Sequence, residues 1–239
     1  MTDSQQTRDP WPTQVTFPGQ THAASGPHDM RPMYLAHHAF RRDLARFESA
    51  VRNTPVGEAE VWARLEQRWE VFSMVLHHHH TIEDEAIWPP VTRRADAAAT
   101  EVLGSMEAEH VLIDPVLAGC AQGFAAMTAH PCADHRNALD VHVTNARQLL
   151  VDHLRHEETE AIPLVQALMT ADEFEAATAF ADRGVSSKQV AELVPWALEG
   201  LSPDLRAREL AAAPLPFRVI ARLFGRRFQR RERVAFRYA

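Results

Sequence analysis

Two segments of the chain read as copies of each other, and each sets an imidazole and a carboxylate on one face of a helix. The first is His79-His80-Thr81-Ile82-Glu83-Asp84-Glu85-Ala86-Ile87-Trp88-Pro89. The second is His153-Leu154-Arg155-His156-Glu157-Glu158-Thr159-Glu160-Ala161-Ile162-Pro163. In both, a His is followed four residues later by a Glu, then by a second acid, then by Ala-Ile and a Pro. Residues four apart stand one above the other on a helix. Two such helices facing each other make a pocket of mixed nitrogen and oxygen donors, the ligand set of a non-haem iron site. The repeat also extends backwards: His37 lies 42 residues before His79, and His110 lies 43 before His153. The chain reads as two helix pairs, each supplying a lone His and then a His-x-x-x-Glu.

Apolar spacing supports four long helices. Steps of three and four link His37, Phe40, Leu44, Phe47 and Val51, predicting a helix from about Met33 to Arg52. After the turn Asn53–Gly57, a second helix runs from about Glu58 to Trp88, with Leu65, Trp69, Phe72, Leu76, His79 and Glu83 in one register. Pro89-Pro90 should stop it. The third runs from about Asp96 to Ala129 through Leu103, Met106, His110, Ile113, Leu117, Cys120 and Phe124, and Pro115 should kink it. The fourth runs from about Ala133 to Ile162 through Val143, Ala146, Leu150, His153 and Glu157, and Pro163 kinks or ends it. Short turns between long helices predict an all-α, up-down four-helix bundle. On all four helices the chosen His falls at a core position.

The bundle is expected over residues 31–165. Residues 1–30 lack periodicity and read as an irregular arm, with His22 and His28 solvated. A helical extension fills residues 166–239. It comprises Asp172–Arg183 ending at Gly184, Ser187–Leu198 ending at Gly200, a helix start at Ser202-Pro203-Asp204, and an Arg-rich helix after Pro214 and Pro216. From Pro216 to Ala239 there are eight Arg and one Glu, a charge of +7, in a chain whose net charge is −7. A basic amphipathic helix can lie on a membrane or on nucleic acid. The favoured expectation is docking on the chain's own acidic bundle, with no nucleic-acid partner. No apolar run approaches the roughly 20 residues needed to span a bilayer, and the start carries no signal-like stretch. Cys120 and Cys132 form no disulfide or zinc pattern. These features predict a soluble cytoplasmic protein.

The run His77–His80 cannot face one pocket, because successive helix residues are about 100° apart. The Leu76/Glu83 register selects His79. His80, three before Glu83, can reach the edge of the same site, and His77 and His78 should point elsewhere. A solvated patch is the bland alternative for the run. A lone core His is more often a hydrogen-bonded structural residue. Four of them in phase with two Glu are a different matter, since two buried carboxylates without a counter-charge cost several kcal/mol each. A ferritin-like carboxylate site would need Glu-x-x-His on two helices. Only Glu107-Ala108-Glu109-His110 has it; Tyr34 stands three before His37.

The segments HHAFRRDL, HHHHTIEDEAIWP, MEAEHVLIDP and HLRHEETEAIP, in this order and spacing over about Met33–Pro163, resemble the hemerythrin-like (HHE cation-binding) family. The resemblance implies a non-haem diiron centre, oxo- or hydroxo-bridged, inside a four-helix bundle. By position its ligands are His37, His79, Glu83, His110, His153 and Glu157, with Glu83 and Glu157 bridging. The oxygen-carrying members place a second His one turn after the first on the third helix, where this chain has Asp114. Their carboxylate on the fourth helix also has a longer spacing. His80, Glu107 or water can fill the vacant position, and Asp114 and Tyr34 stand close enough in sequence to join or flank the site.

Four imidazoles and two carboxylates carry less negative charge than a four-carboxylate centre. Such a pair suits binding or reducing O2, peroxide or NO, in sensing or detoxification. If the protein is an enzyme, it is a diiron oxidoreductase. Two alternatives stand beside this: an oxidase or oxygenase with an organic substrate, and an iron-responsive regulatory module. A large cavity reaching the metals favours the first of them. A homodimer is compatible with the sequence.

Overall fold

The structure is a computed structural model that describes residues 11–183 and 185–239. The first ten residues of the expected arm, and Gly184 as a helix end, lie outside the described residues. Among those described, the elements are helical and none is a strand. The bundle helices are α1 (Arg31–Asn53), α2 (Ala59–Ile82), α4 (Ala97–Ala129) and α5 (Ala133–His156), with the short α3 (Trp88–Thr92) after α2 and α6 (Ile162–Leu168) after α5. They pack α1 on α2, α2 on α4, α4 on α5 and α5 on α1, which closes a four-helix bundle.

The two repeats differ from expectation in the same way. Neither helix stops at its proline. A π-turn over Glu83–Ile87 joins α2 to α3, and one over Glu157–Ala161 joins α5 to α6. The Trp88 and Ile162 amides reach back five residues, to the carbonyls of Glu83 and Glu157. This wider register explains how the chain stays helical through Pro89-Pro90 and Pro163. A proline lacks its N–H and clashes with the carbonyl four residues back, and a π-turn has already displaced that carbonyl. Each π-turn begins at the repeated Glu. Pro115, in contrast, lies inside a continuous α4.

α4 is an exception to the expectation that no segment is apolar enough to cross a membrane, since by length and composition it meets that test. It packs as a bundle helix, with Leu103, Met106, Ile113, Leu117 and Phe124 buried.

The extension comprises α7 (Ala171–Ala181), α8 (Ser187–Ala197), α9 (Pro203–Ala212) and α10 (Leu215–Ala235). Gly200 closes the turn after α8 at φ +72°, a left-handed conformation that favours glycine. α10 packs on α8 and α2. Its one acid, Glu232, is buried and accepts from Arg68 Nε at 2.9 Å and Arg46 Nη1 at 3.1 Å. Arg68 also pairs with the buried Asp43, which takes the Trp196 indole N–H at 2.7 Å.

The arm is irregular but not loose over residues 17–30, and the expectation for His28 was wrong. His28 is 4 % exposed, with Nε2 2.9 Å from the Met169 carbonyl and its ring stacked on Phe174. His22 is exposed. Gln166 of α6 bonds the backbone of Ala24 and His28. Gly26 allows this contact, because a Cβ there would lie 2.3 Å from Gln166 Oε1.

Candidate metal centre

The apolar core is divided in two, and a polar layer lies between the halves. One half contains Phe40, Leu76, Ile113 and Leu150; the other contains Tyr34, Ile87, Met106 and Ala161. His37 follows Tyr34 and precedes Phe40 by three residues each. His79, His80 and Glu83 lie between Leu76 and Ile87, His110 between Met106 and Ile113, and His153 and Glu157 between Leu150 and Ala161. The helical period therefore delivers imidazoles and carboxylates where it would otherwise deliver another apolar layer.

Two groups of four side chains converge in this layer. His37, His79, Glu83 and Glu157 form one; His80, Glu83, His110 and His153 form the other. Within each group the ligand atoms lie within 4.8 Å of one another. Glu83 belongs to both. Its Oε1 is 2.9 Å from His79 Nε2, and its Oε2 is 3.4 Å from His110 Nε2. His37 Nε2 is 3.1 Å from Glu157 Oε2. None of these contacts has hydrogen-bond geometry. Nε2 of His37, His79, His80, His110 and His153, and both oxygens of Glu83 and Glu157, are buried without a hydrogen-bond partner. Buried polar atoms are almost always paired, and a group left bare costs on the order of 1–3 kcal/mol, more when charged. Five nitrogens and four oxygens left bare in one layer, all aimed inward, fit bound cations.

The far nitrogens of three rings are anchored. His37 Nδ1 lies 3.0 Å from Glu158 Oε1, His110 Nδ1 2.9 Å from Asp84 Oδ1, and His153 Nδ1 2.7 Å from Glu109 Oε2. A carboxylate on Nδ1 fixes the ring's orientation and leaves Nε2 free to ligate. The repeat explains two of the three. Asp84 and Glu158 are the second acids of the two copies, and each holds the lone His of the other copy. Glu158 is itself held by Arg41 Nη1 at 2.7 Å and the Thr21 amide at 2.7 Å.

The cluster sets its own charge. Burial lowers the His37 pKa, but Glu157 and Glu158 beside it outweigh that and raise it to about 9. Burial would raise Glu157, yet His37 beside it brings the carboxyl down to about 2. Burial, reinforced by the facing Glu157, pushes Glu83 well above the carboxylate range. Burial lowers His79 to about 3 and depresses His80 and His110 as well. The imidazoles other than His37 for which a shift is seen are thus held in the neutral form that ligates metal.

Of the residues marked out in the sequence, the structure brings together His37, His79, Glu83, His110, His153 and Glu157, and His80 joins them. His77 is exposed, and His78 turns to the Ala181 carbonyl at 3.3 Å. Glu107 and Asp114 are exposed and stand outside both groups. Tyr34 is buried, and its hydroxyl accepts the Ala24 amide at 2.9 Å; burial raises its pKa to about 12. Sequence reasoning did not assign Glu109, Asp84 or Glu158. The doubled acid after each repeated Glu was a visible signal for the last two. Glu109 had none, because its contact to His153 depends on how α4 meets α5.

A family model described as Hemerythrin HHE cation binding domain matches residues 30–165, which span both repeats and every member of the two groups. No curated protein and no solved structure matches the chain.

Proposed function

We propose that this chain, which belongs to the hemerythrin HHE cation-binding family, holds two iron ions and uses one of them to bind or reduce a small oxidant such as O2, peroxide or NO. The observation carrying this reading is the layer of nine buried nitrogen and oxygen atoms without hydrogen-bond partners, arranged as two groups sharing Glu83. Mixed imidazole and carboxylate donors suit iron among the metals such ligands take.

The two positions are unequal. His80, His110 and His153 offer three imidazoles to one ion; His37 and His79 offer two to the other. The counterpart of His80 in the second repeat is Leu154, so the repeat itself breaks here. The two-imidazole position is the one with room for an exogenous ligand. Bound iron would supply a redox-active Lewis acid at that position. The chain's residues orient the ligands: Glu158 fixes the His37 ring here, Asp84 fixes the His110 ring at the other position, and apolar residues flank the layer on both sides. His79 is the most accessible of the cluster side chains, 11 % exposed.

One observation favours the organic-substrate reading as a second. An apolar cavity of about 440 Å³ opens onto His79, on the two-imidazole side.

Metal analysis with optical spectra of the anaerobically reduced protein, before and after O2, peroxide and NO, tests the proposal. The expected result is two iron per chain and a spectrum that responds to at least one of the three. Stoichiometric zinc that iron does not displace would overturn it.

A further inference from the structure

The cavity against His79 is walled in part by a helix that the family model does not reach. The model match ends at residue 165, and α7 begins at Ala171. Phe174 and Ala177 of α7 face Met30 and Met33 at the start of α1, and Ile82 and Ile87 at the end of α2 and its π-turn. These walls are aliphatic, thioether or aromatic. At about 440 Å³ the space is within the range of small-molecule sites and far larger than a diatomic needs.

α7 is held as a fixed wall. Its first turn carries a capping box between Thr170 and Glu173. Glu173 also accepts from Arg93 and Arg94 of the segment after α3, at 2.9 Å each. At its other end the Ala181 carbonyl meets His78 of α2 at 3.3 Å, and Phe174 stacks on His28 with centroids 4.4 Å apart.

The charge of the lining is informative. Among the described residues Asp29 is its one charged residue, and no Arg or Lys lines the cavity. Asp29 itself accepts the Arg31 amide at 3.0 Å. An anionic ligand would find no basic side chain in this lining and would meet Asp29, whose carboxylate has Arg31 Nη2 at 3.9 Å. A neighbouring cavity of about 400 Å³ between α1, α8, α9 and α10 shares Asp29 and Pro32 but touches none of the cluster residues.

We propose that the cavity between α1, the first π-turn and α7 binds a compact, uncharged, apolar organic molecule, seated against His79 at the two-imidazole end of the centre. This rests on the two-ion reading for what lies behind His79, but the cavity's selectivity does not. The ligand class follows from the lining: apolar walls reward each buried methylene, and among the described residues no basic side chain lines the cavity to meet a carboxylate or phosphate.

Calorimetric titration of the protein as isolated with 1-butanol, 1-hexanol and 1-octanol tests the proposal, with hexanoate as the anionic control. Saturable binding should tighten about three- to fourfold per added methylene, and in the chelated, metal-free protein, where no ion can take a carboxylate, hexanoate should bind at least about tenfold more weakly than 1-hexanol, because the lining offers its charge no partner. Ala177→Trp, which fills the cavity, should abolish binding and leave metal content unchanged. Thr178→Trp, at the exposed rim, should weaken it as well and covers the case in which Ala177→Trp does not fold. In the iron form, 1-hexanol should alter the absorption produced by added azide. Alkanol binding that is absent, unchanged in both variants, or matched by hexanoate in the metal-free protein overturns the proposal. Alkanol binding with the expected variant effects in a protein that holds no iron would uphold the cavity and overturn the metal reading alone.

Discussion

The ring of His80 lies flat on the ring of His110, with centroids 4.0 Å apart and planes 8° from parallel. Two imidazolium ions would repel in that position. Burial lowers both pKa values, so both rings stack in the neutral form with Nε2 bare. The pair serves one group together with His153, whose ring meets both edge-on. This third imidazole makes the centre asymmetric, and it comes from α2 rather than from Asp114 on α4.

His80→Leu recreates the residue that the second repeat carries at Leu154. It should remove the His80/His110/His153 ion, or weaken its retention by at least about tenfold, and leave the His37/His79 ion in place. His77→Ala, at an exposed position, should change nothing. Iron counting against protein concentration decides between these outcomes. Two tightly held ions in His80→Leu would mean that His80 is only a packing residue.

Glu158 turns His37 toward the centre and is itself fixed by Arg41 and the Thr21 amide. Glu158→Gln keeps the shape but loses the charge. Metal affinity should fall about 10- to 100-fold, with helical content unchanged by circular dichroism. Glu107→Gln, on the exposed face, is the control. Equal affinities in the two variants would remove Glu158 from the account.

Much of this could be read in the sequence, because one period governed both packing and chemistry. The spacing that buries Phe40 or Met106 also places His37 and His110, so the four helices and six core-facing ligand candidates emerged together. His80 was harder, since periodicity cannot decide between two adjacent residues at the edge of a face. The helix ends were expected at about Trp88 and Ile162 because the prolines that follow signalled a stop, or at Pro163 a kink, and the π-turns that carry the helices on to Thr92 and Leu168 leave no propensity signal. His28 was misread for another reason. Its burial depends on Phe174 and Met169, more than 140 residues away, which local sequence cannot report.

Asp43 joins the extension to the bundle. It is fully buried and pairs with Arg42 and Arg68 and the Trp196 indole. Asp43→Ala would strand the buried Arg68 with only Glu232, and breaking such a network costs about 3–5 kcal/mol. Denaturant unfolding should show that loss. Metal content should hold in the protein that remains folded, since Asp43 touches neither group of four. Wild-type stability would show that the network is dispensable for holding α8 and α10.

Loading the metal-free protein should release a proton at pH 7. His37 is raised from 6.5 to about 9 there, and its Nε2 must be bare to ligate. The sign follows from linkage. A raised pKa means that the folded, metal-free chain gains stability from protonated His37 below about pH 6.5, and loses it as pH rises through about 9. Metal binding opposes that proton, so apparent affinity should rise about tenfold per pH unit approaching pH 9 and then level off. The depressed His79, His80 and His110 act in the other direction. Their contribution to stability is lost as pH falls below about 6.5, when the unfolded chain takes up protons that the folded one refuses. Glu83, raised by burial and by Glu157, adds to the release where it is still protonated. Anaerobic titration with ferrous iron, in two buffers of different ionisation heat at pH 7 and at pH 9.5, reads the proton count directly. About one proton from His37 should appear at pH 7 and fall to about a quarter of a proton at pH 9.5, and His37→Ala should abolish that part. Equal release at both pH values in the wild type would mean that His37 enters the centre already neutral, and the His37–Glu157 contact could not be the metal-free form of a ligand pair.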